Sequence, residues 1–139
     1  MLDTGTVEMK PVAPFSPKLV CIDTKTNAVT KTILLPRSVA PEGTYINDLR
    51  IDGRRGEGEG IAYIADSGVT LPNGIICVDL KSGKSLRRLA GHPSTQADPQ
   101  FVGKPETGPL YLRPKPGEKS PVRLGSDGIA ISPDSEFLY

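Results

Sequence analysis

The chain reads as an all-β protein, a partial β-propeller of about two to three blades, and three observations point there. Its segments recur: Leu2-Asp3-Thr4-Gly5 returns as Ala65-Asp66-Ser67-Gly68, Lys18-Leu19-Val20-Cys21-Ile22-Asp23 as Gly74-Ile75-Ile76-Cys77-Val78-Asp79, and Asn47-Asp48-Leu49-Arg50-Ile51 as Ser126-Asp127-Gly128-Ile129-Ala130. The pieces run second, third and fourth strand, then a full set of four, then the opening of another set, which is the order of a propeller cut from its ring. Gly 15 and Pro 14 are both high among 139 residues and helical periodicity is scarce, so the strands are short and joined by tight turns.

The elements follow in order. Residues 1–36 hold the end of one blade: residues 1–5 end a second strand, 17–24 form a third and 28–35 a fourth, with Thr24-Lys25-Thr26-Asn27 as the turn. Residues 44–90 make a complete blade, with strands expected at 45–52, 61–65, 74–80 and 85–89. Lys81-Ser82-Gly83-Lys84 is its last hairpin, where Gly83 supplies the positive φ. Leu19-Val20-Cys21-Ile22 and Ile75-Ile76-Cys77-Val78 are apolar almost without alternation, as strands buried on both faces between neighbouring blades. Ser85-Leu86-Arg87-Arg88-Leu89 reads as a solvated outer strand whose arginines blunt edge pairing. Residues 91–125 carry seven prolines and have no partner in the repeat. They are a surface excursion between blades or a rim over the binding face, with Tyr111-Leu112 as a short strand. Residues 126–139 start the next blade, with a first strand at 126–132 and a second begun at 136–139.

Composition excludes several partners. Lys plus Arg at 17 against Asp plus Glu at 16 leaves a net charge of +1, so no global field recommends nucleic acid or anionic lipid. No apolar run approaches the roughly 18 residues of a membrane span. Trp is absent and aromatics are 5%, against a stacking platform for bases. Cys21 and Cys77 hold equivalent positions on successive blades, about 10 Å apart, too far for a disulfide, and are expected as buried free thiols. No charged segment followed by an apolar core and cleavage site marks an export signal.

Geometry locates a site. The start of a blade's first strand and the end of its second lie at the same end of an antiparallel sheet, so Asn47, Asp48, Asp127, Asp3 and Asp66 gather at one mouth. First strands line the axis, which makes Asn47, Asp48 and Asp127 the best placed to face it. Asp3-Thr4-Gly5 and Asp66-Ser67-Gly68 have a second reading as turns, the carboxylate accepting backbone N–H bonds and the glycine taking positive φ. A hard cation wants several oxygens, of which Asn47 and Asp127 supply part. Asp23, Asp79 and Asp134 fall at hairpins elsewhere. Gly56-Glu57-Gly58-Glu59-Gly60 precedes a strand rather than a helix and is a hairpin, not a phosphate loop. His92 stands alone, without partners for a zinc site or a triad.

The set Asp3-Thr4-Gly5, Pro17-Lys18-Leu19-Val20, Tyr45 to Asp52, Ala62 to Gly68 and Asp127 to Asp134 resembles the yellow / major royal jelly protein family in its bacterial branch. More distantly, these segments are similar to gluconolactonase-like and regucalcin-like propellers. The first resemblance implies a six-bladed propeller longer than this chain, extracellular or periplasmic, binding a small polar or amine-bearing molecule through Asn47, Asp48, Asp66 and Asp127. The second implies a metal-dependent lactone hydrolase with calcium or zinc held in part by Asn47 and Asp127. On either reading the remainder of the propeller is the expected partner, and the arc alone is expected to associate.

Overall fold

The computed structural model describes residues 1–7, 10–11, 15–56, 58–69, 72–113 and 115–139. Two antiparallel sheets dominate. The first has the order β1 (Leu2–Asp3), β4 (Lys18–Asp23), β5 (Ala28–Leu34), and the second β6 (Ile46–Asp52), β7 (Ile61–Asp66), β8 (Gly74–Asp79), β9 (Ser85–Arg88). Between β1 and β4 lies a small hairpin of β2 (Thr6–Val7) and β3 (Lys10–Pro11), which the sequence reading did not anticipate. β10 (Tyr111–Leu112) pairs with β11 (Ser120–Pro121) inside the Pro-rich stretch, where Phe101, Leu110 and Leu112 are exposed.

The β4–β5 and β8–β9 hairpins are each closed by an aspartate at the first strand's end. Asp23 Oδ1 accepts the Lys25 N–H at 2.7 Å, and Asp79 Oδ1 accepts the Ser82 N–H at 2.7 Å. Asn27 and Gly83 then take the positive φ that returns the chain, 54° and 73°. The second sheet meanders in register, with Tyr63 opposite Cys77 and Cys77 opposite Leu86.

The core lies between the sheets. Leu19, Ile33 and Leu35 of the first and Ala62, Ile64, Ile76 and Val78 of the second form one buried cluster, joined by Val39 and Ala40 of the connection. Lys31 straps the same interface at its outer end, donating to the carbonyls of Leu80 at 2.6 Å and Lys81 at 2.8 Å. Face-to-face packing of consecutive four-strand units through apolar β-branched faces is how propeller blades hold together, and this chain forms an arc of such a propeller.

Four expectations need correction. Residues 126–132 do not form a full strand: only Ile131 bridges Leu138, flanked by the Ala130–Tyr139 and Ser132–Phe137 backbone bonds. Gly68 does not take a positive φ, although Gly5 does at 64°. Cys21 and Cys77 are free, as expected, but half-buried. Burial nevertheless raises the Cys77 thiol above its ordinary value, against a smaller opposing pull from Arg88. Arg87 is no solvated edge residue, for reasons that belong to the site.

Candidate functional site

The mouth is built on the two turn aspartates. Asp3 Oδ1 accepts the Gly5 N–H and Asp66 Oδ1 the Gly68 N–H, both at 2.9 Å, so the repeated motif makes the same carboxylate-to-backbone bond twice, although only Gly5 takes a positive φ. Asp66 goes further. It is fully buried, its Oδ1 also accepts the Tyr45 N–H at 2.9 Å, and its Oδ2 meets the Arg87 guanidinium at 2.6 Å. Arg87 reaches it diagonally from β9 because it stands opposite Ile76, which stands opposite Ile64, two residues from Asp66 on the same face. Arg87 is 11% exposed and also donates to Pro72 O at 2.7 Å. An aspartate so enclosed has no face left for a ligand. Asp66, expected at the ligand, instead fixes where β6 begins.

Asn47 and Asp127 do come together. The Asn47 side-chain amide donates to the Asp127 carboxylate and, at 3.3 Å, to Ser67 Oγ. Ser67 in turn donates to Ser126 O at 2.7 Å. This buried serine, which motif reading passed over as part of a turn, ties the second strand of one blade to the first strand of the next. Its signal was the hydroxyl residue repeated in phase, Thr4 and Ser67. The bridge of Ile131 to Leu138 sets the phase of the last segment: Ile131 matches Ile51, which stands opposite Ala62, so Asp127 is the counterpart of Asn47 rather than of Asp48. Equivalent positions of neighbouring blades thus touch at the axial end.

Asp48 sits beside them, half-exposed. Its Oδ1 accepts the Leu49 N–H and the Arg50 guanidinium, each at 2.8 Å, and its Oδ2 the Ile129 N–H at 3.4 Å. Partial desolvation pushes its carboxyl up, but these bonds together outweigh it and hold the group below its ordinary value. Asp3 is likewise held low, first by its hydrogen bond with Lys18, whose ammonium lies 2.6 Å away. Among the described residues no cation pairs with Asp127, while Asp3, Asp48 and Asp66 each have one.

As a metal centre the arrangement falls short. Asn47 and Asp127 offer one amide and one carboxylate, and the described residues contain no cluster of three or more His, Cys, Asp or Glu. A calcium ion takes six to eight oxygens and a catalytic zinc about three protein ligands. Asn47 and Asp127 therefore supply at most part of either cation's ligand set. His92 is spent locally, its Nδ1 accepting the Ser94 N–H at 3.2 Å at the start of a single 3-10 turn, Pro93–Thr95.

Fold and mouth define an arc of a β-propeller whose blades meet through polar groups at one axial end. A model of the major royal jelly protein family matches residues 1–114, and the chain belongs to that family. No curated protein matches it. Among the described residues no helix is long and apolar enough to cross a membrane.

Proposed function

We propose that this chain is part of a secreted β-propeller that binds a small polar, amine-bearing molecule at the axial mouth, through Asn47, Asp48 and Asp127. The observation that carries the reading is the meeting of Asn47 and Asp127 from the first strands of neighbouring blades, with Asp127 the acidic group there that lacks a cationic partner among the described residues. A protonated amine supplies that charge and keeps the Asn47 carbonyl free to accept a second bond. Asp48, already engaged by Arg50, holds the adjoining backbone and sets the rim.

Titration of the isotope-labelled protein with a panel of small primary amines and uncharged sugars, followed by NMR, tests this. The expected result is amine-dependent shifts of the Asn47 and Asp127 resonances and about 10- to 100-fold weaker binding in Asp127→Asn at unchanged fold. Shifts confined to other residues, or none with any amine, would sink the reading.

A further inference from the structure

Ser67 does more than tie two strands together. Its N–H donates to Tyr45 O at 2.9 Å, which fixes its backbone, and only 2% of the residue is exposed. Its hydroxyl has one proton and lies 2.7 Å from Ser126 O, the shortest of its contacts, so the proton goes there. Ser126 is itself held. Its N–H donates to Thr95 O at 2.9 Å, and its hydroxyl lies within reach of Asp66 O at 3.1 Å and Gly74 O at 3.2 Å. Toward Asn47, Ser67 Oγ therefore presents only a lone pair. The equivalent hydroxyl one blade earlier behaves differently: Thr4 Oγ1 accepts the Thr6 N–H at 3.3 Å and the Thr6 hydroxyl at 3.1 Å, within its own stretch of chain.

The Asn47 amide meets two acceptors at once, the Ser67 lone pair at 3.3 Å and the Asp127 carboxylate. Turned the other way, its carbonyl oxygen would meet both of them, acceptor against acceptor. The amide therefore has one orientation, with its nitrogen toward Ser67 and Asp127 and its oxygen on the remaining side. Among the described residues nothing donates to Asn47 Oδ1 or to Asp127 Oδ2. Both oxygens of Asp48 are taken, by the Leu49 N–H and Arg50 on one and the Ile129 N–H on the other. What these three side chains leave at the mouth is two hydrogen-bond acceptors and no donor.

We propose that Ser67 is the positioning residue of the mouth, and that by fixing the Asn47 amide it restricts the ligand to cations bringing at least two N–H groups, that is, primary and secondary ammonium ions. The proposal rests on the mouth being an amine site and narrows the class of amine. A protonated primary amine brings three N–H groups, enough to serve Asn47 Oδ1 and Asp127 Oδ2 together. A tertiary ammonium brings one and leaves an acceptor without a donor; a quaternary ammonium brings none. Quaternary ions are held instead by aromatic faces, which these three side chains do not provide. Carboxylates and phosphates bring acceptors and meet only acceptors. Methylation at nitrogen thus removes donors at constant charge, and the mouth reads how many remain.

The test is a titration of the isotope-labelled 139-residue chain with methyl-, dimethyl-, trimethyl- and tetramethylammonium ions, all cationic at neutral pH, followed by NMR at Asp127. Affinity is expected to hold from the first ion to the second, then to fall about 10-fold at the third and about 10-fold again at the fourth. A flat or rising series overturns the proposal. The Asn47 side-chain protons give a second readout that needs no ligand. In the parent both are expected to be protected from exchange with water. In Ser67→Ala one of them loses its protection and shifts, the one facing Asp127 keeps its place, and the spread of the methylation series narrows by about 10-fold. Two unprotected protons in the parent, or an unchanged pair in Ser67→Ala, refute the role of Ser67. The parent's own series and proton protection decide the matter even where Ser67→Ala fails to fold. If no member of the series shifts Asp127, the amine site itself falls and this selectivity with it; binding that ignores the number of N–H groups removes the selectivity and leaves the amine site standing.

Discussion

At the scale of single residues, the Asp66–Arg87 pair decides most. Taking two charges out of water is costly, and breaking such a pair leaves the surviving charge uncompensated. Arg87→Met is therefore expected to destabilise the fold by about 3 kcal/mol or more in chemical denaturation; a change within about 0.5 kcal/mol, the ordinary surface range, would show the pair to be incidental. Asp52 is a second case. Its carboxyl is held below the ordinary 3.8, first by the Arg54 N–H bond, with Ser135 Oγ at 3.0 Å and Arg55 assisting against burial. A depressed carboxyl contributes stability that is present above the unfolded value and lost as pH falls through the folded one. Acid unfolding of Asp52→Asn is expected to show a shallower loss of stability below pH 3.8 than the parent, measured by circular dichroism. None of this was legible as such in the sequence. Arg87 beside Arg88 looks like an exposed pair, and only strand register shows that one of the two points into the apolar face.

At the scale of elements, what was legible was what repeats. Third strands announced themselves by continuous apolar runs, and hairpins by Asp and Gly at fixed offsets, because both patterns follow from local backbone demands. The strand at 126–132 failed for the opposite reason: its sequence is that of a first strand, but a strand needs a neighbour along its whole length. The excursion shows a related limit. Its prolines signalled irregular chain without revealing that its ends are stitched together, with Thr95 O accepting the Ser126 N–H at 2.9 Å and the buried Thr95 hydroxyl donating within reach of Leu89 O at 2.7 Å. A Cβ at Gly125 would lie 2.3 Å from Thr95 O, so the neck also explains that glycine. Loop length alone costs little once the ends are held. Replacing residues 98–123 by a short Gly-Ser linker is expected to leave stability within about 1 kcal/mol. A loss several times larger, by urea titration, would mean the excursion packs on the blades.

At the scale of the whole molecule, the two sheets share one core, so they are expected to melt in a single transition rather than as two independent units. Anything that binds the folded chain but not the unfolded one raises the melting temperature with its concentration. Calorimetry across a hundredfold range of a small primary amine is expected to show the midpoint rising; a constant midpoint would count against the axial mouth as an amine site. The axial mouth was the part of the site most legible in sequence, since Asn47-Asp48 and Asp127 stand at the starts of first strands, although the repeat by itself pairs Asp127 with Asp48 and only the Ile131–Leu138 bridge moves it to Asn47. The contact between them was not, because it depends on how far one blade is turned relative to the next.

The Lys31 strap carries a consequence of its own. Its ammonium reaches into the neighbouring blade, to the carbonyls of Leu80 and Lys81 and, at 3.3 Å, to the Glu59 carboxylate. A single acetyl group on that nitrogen strips the charge that grips all three while leaving every aliphatic contact in place. The outer rim of the interface would then be free to hinge, which makes the angle between blades a chemically addressable quantity.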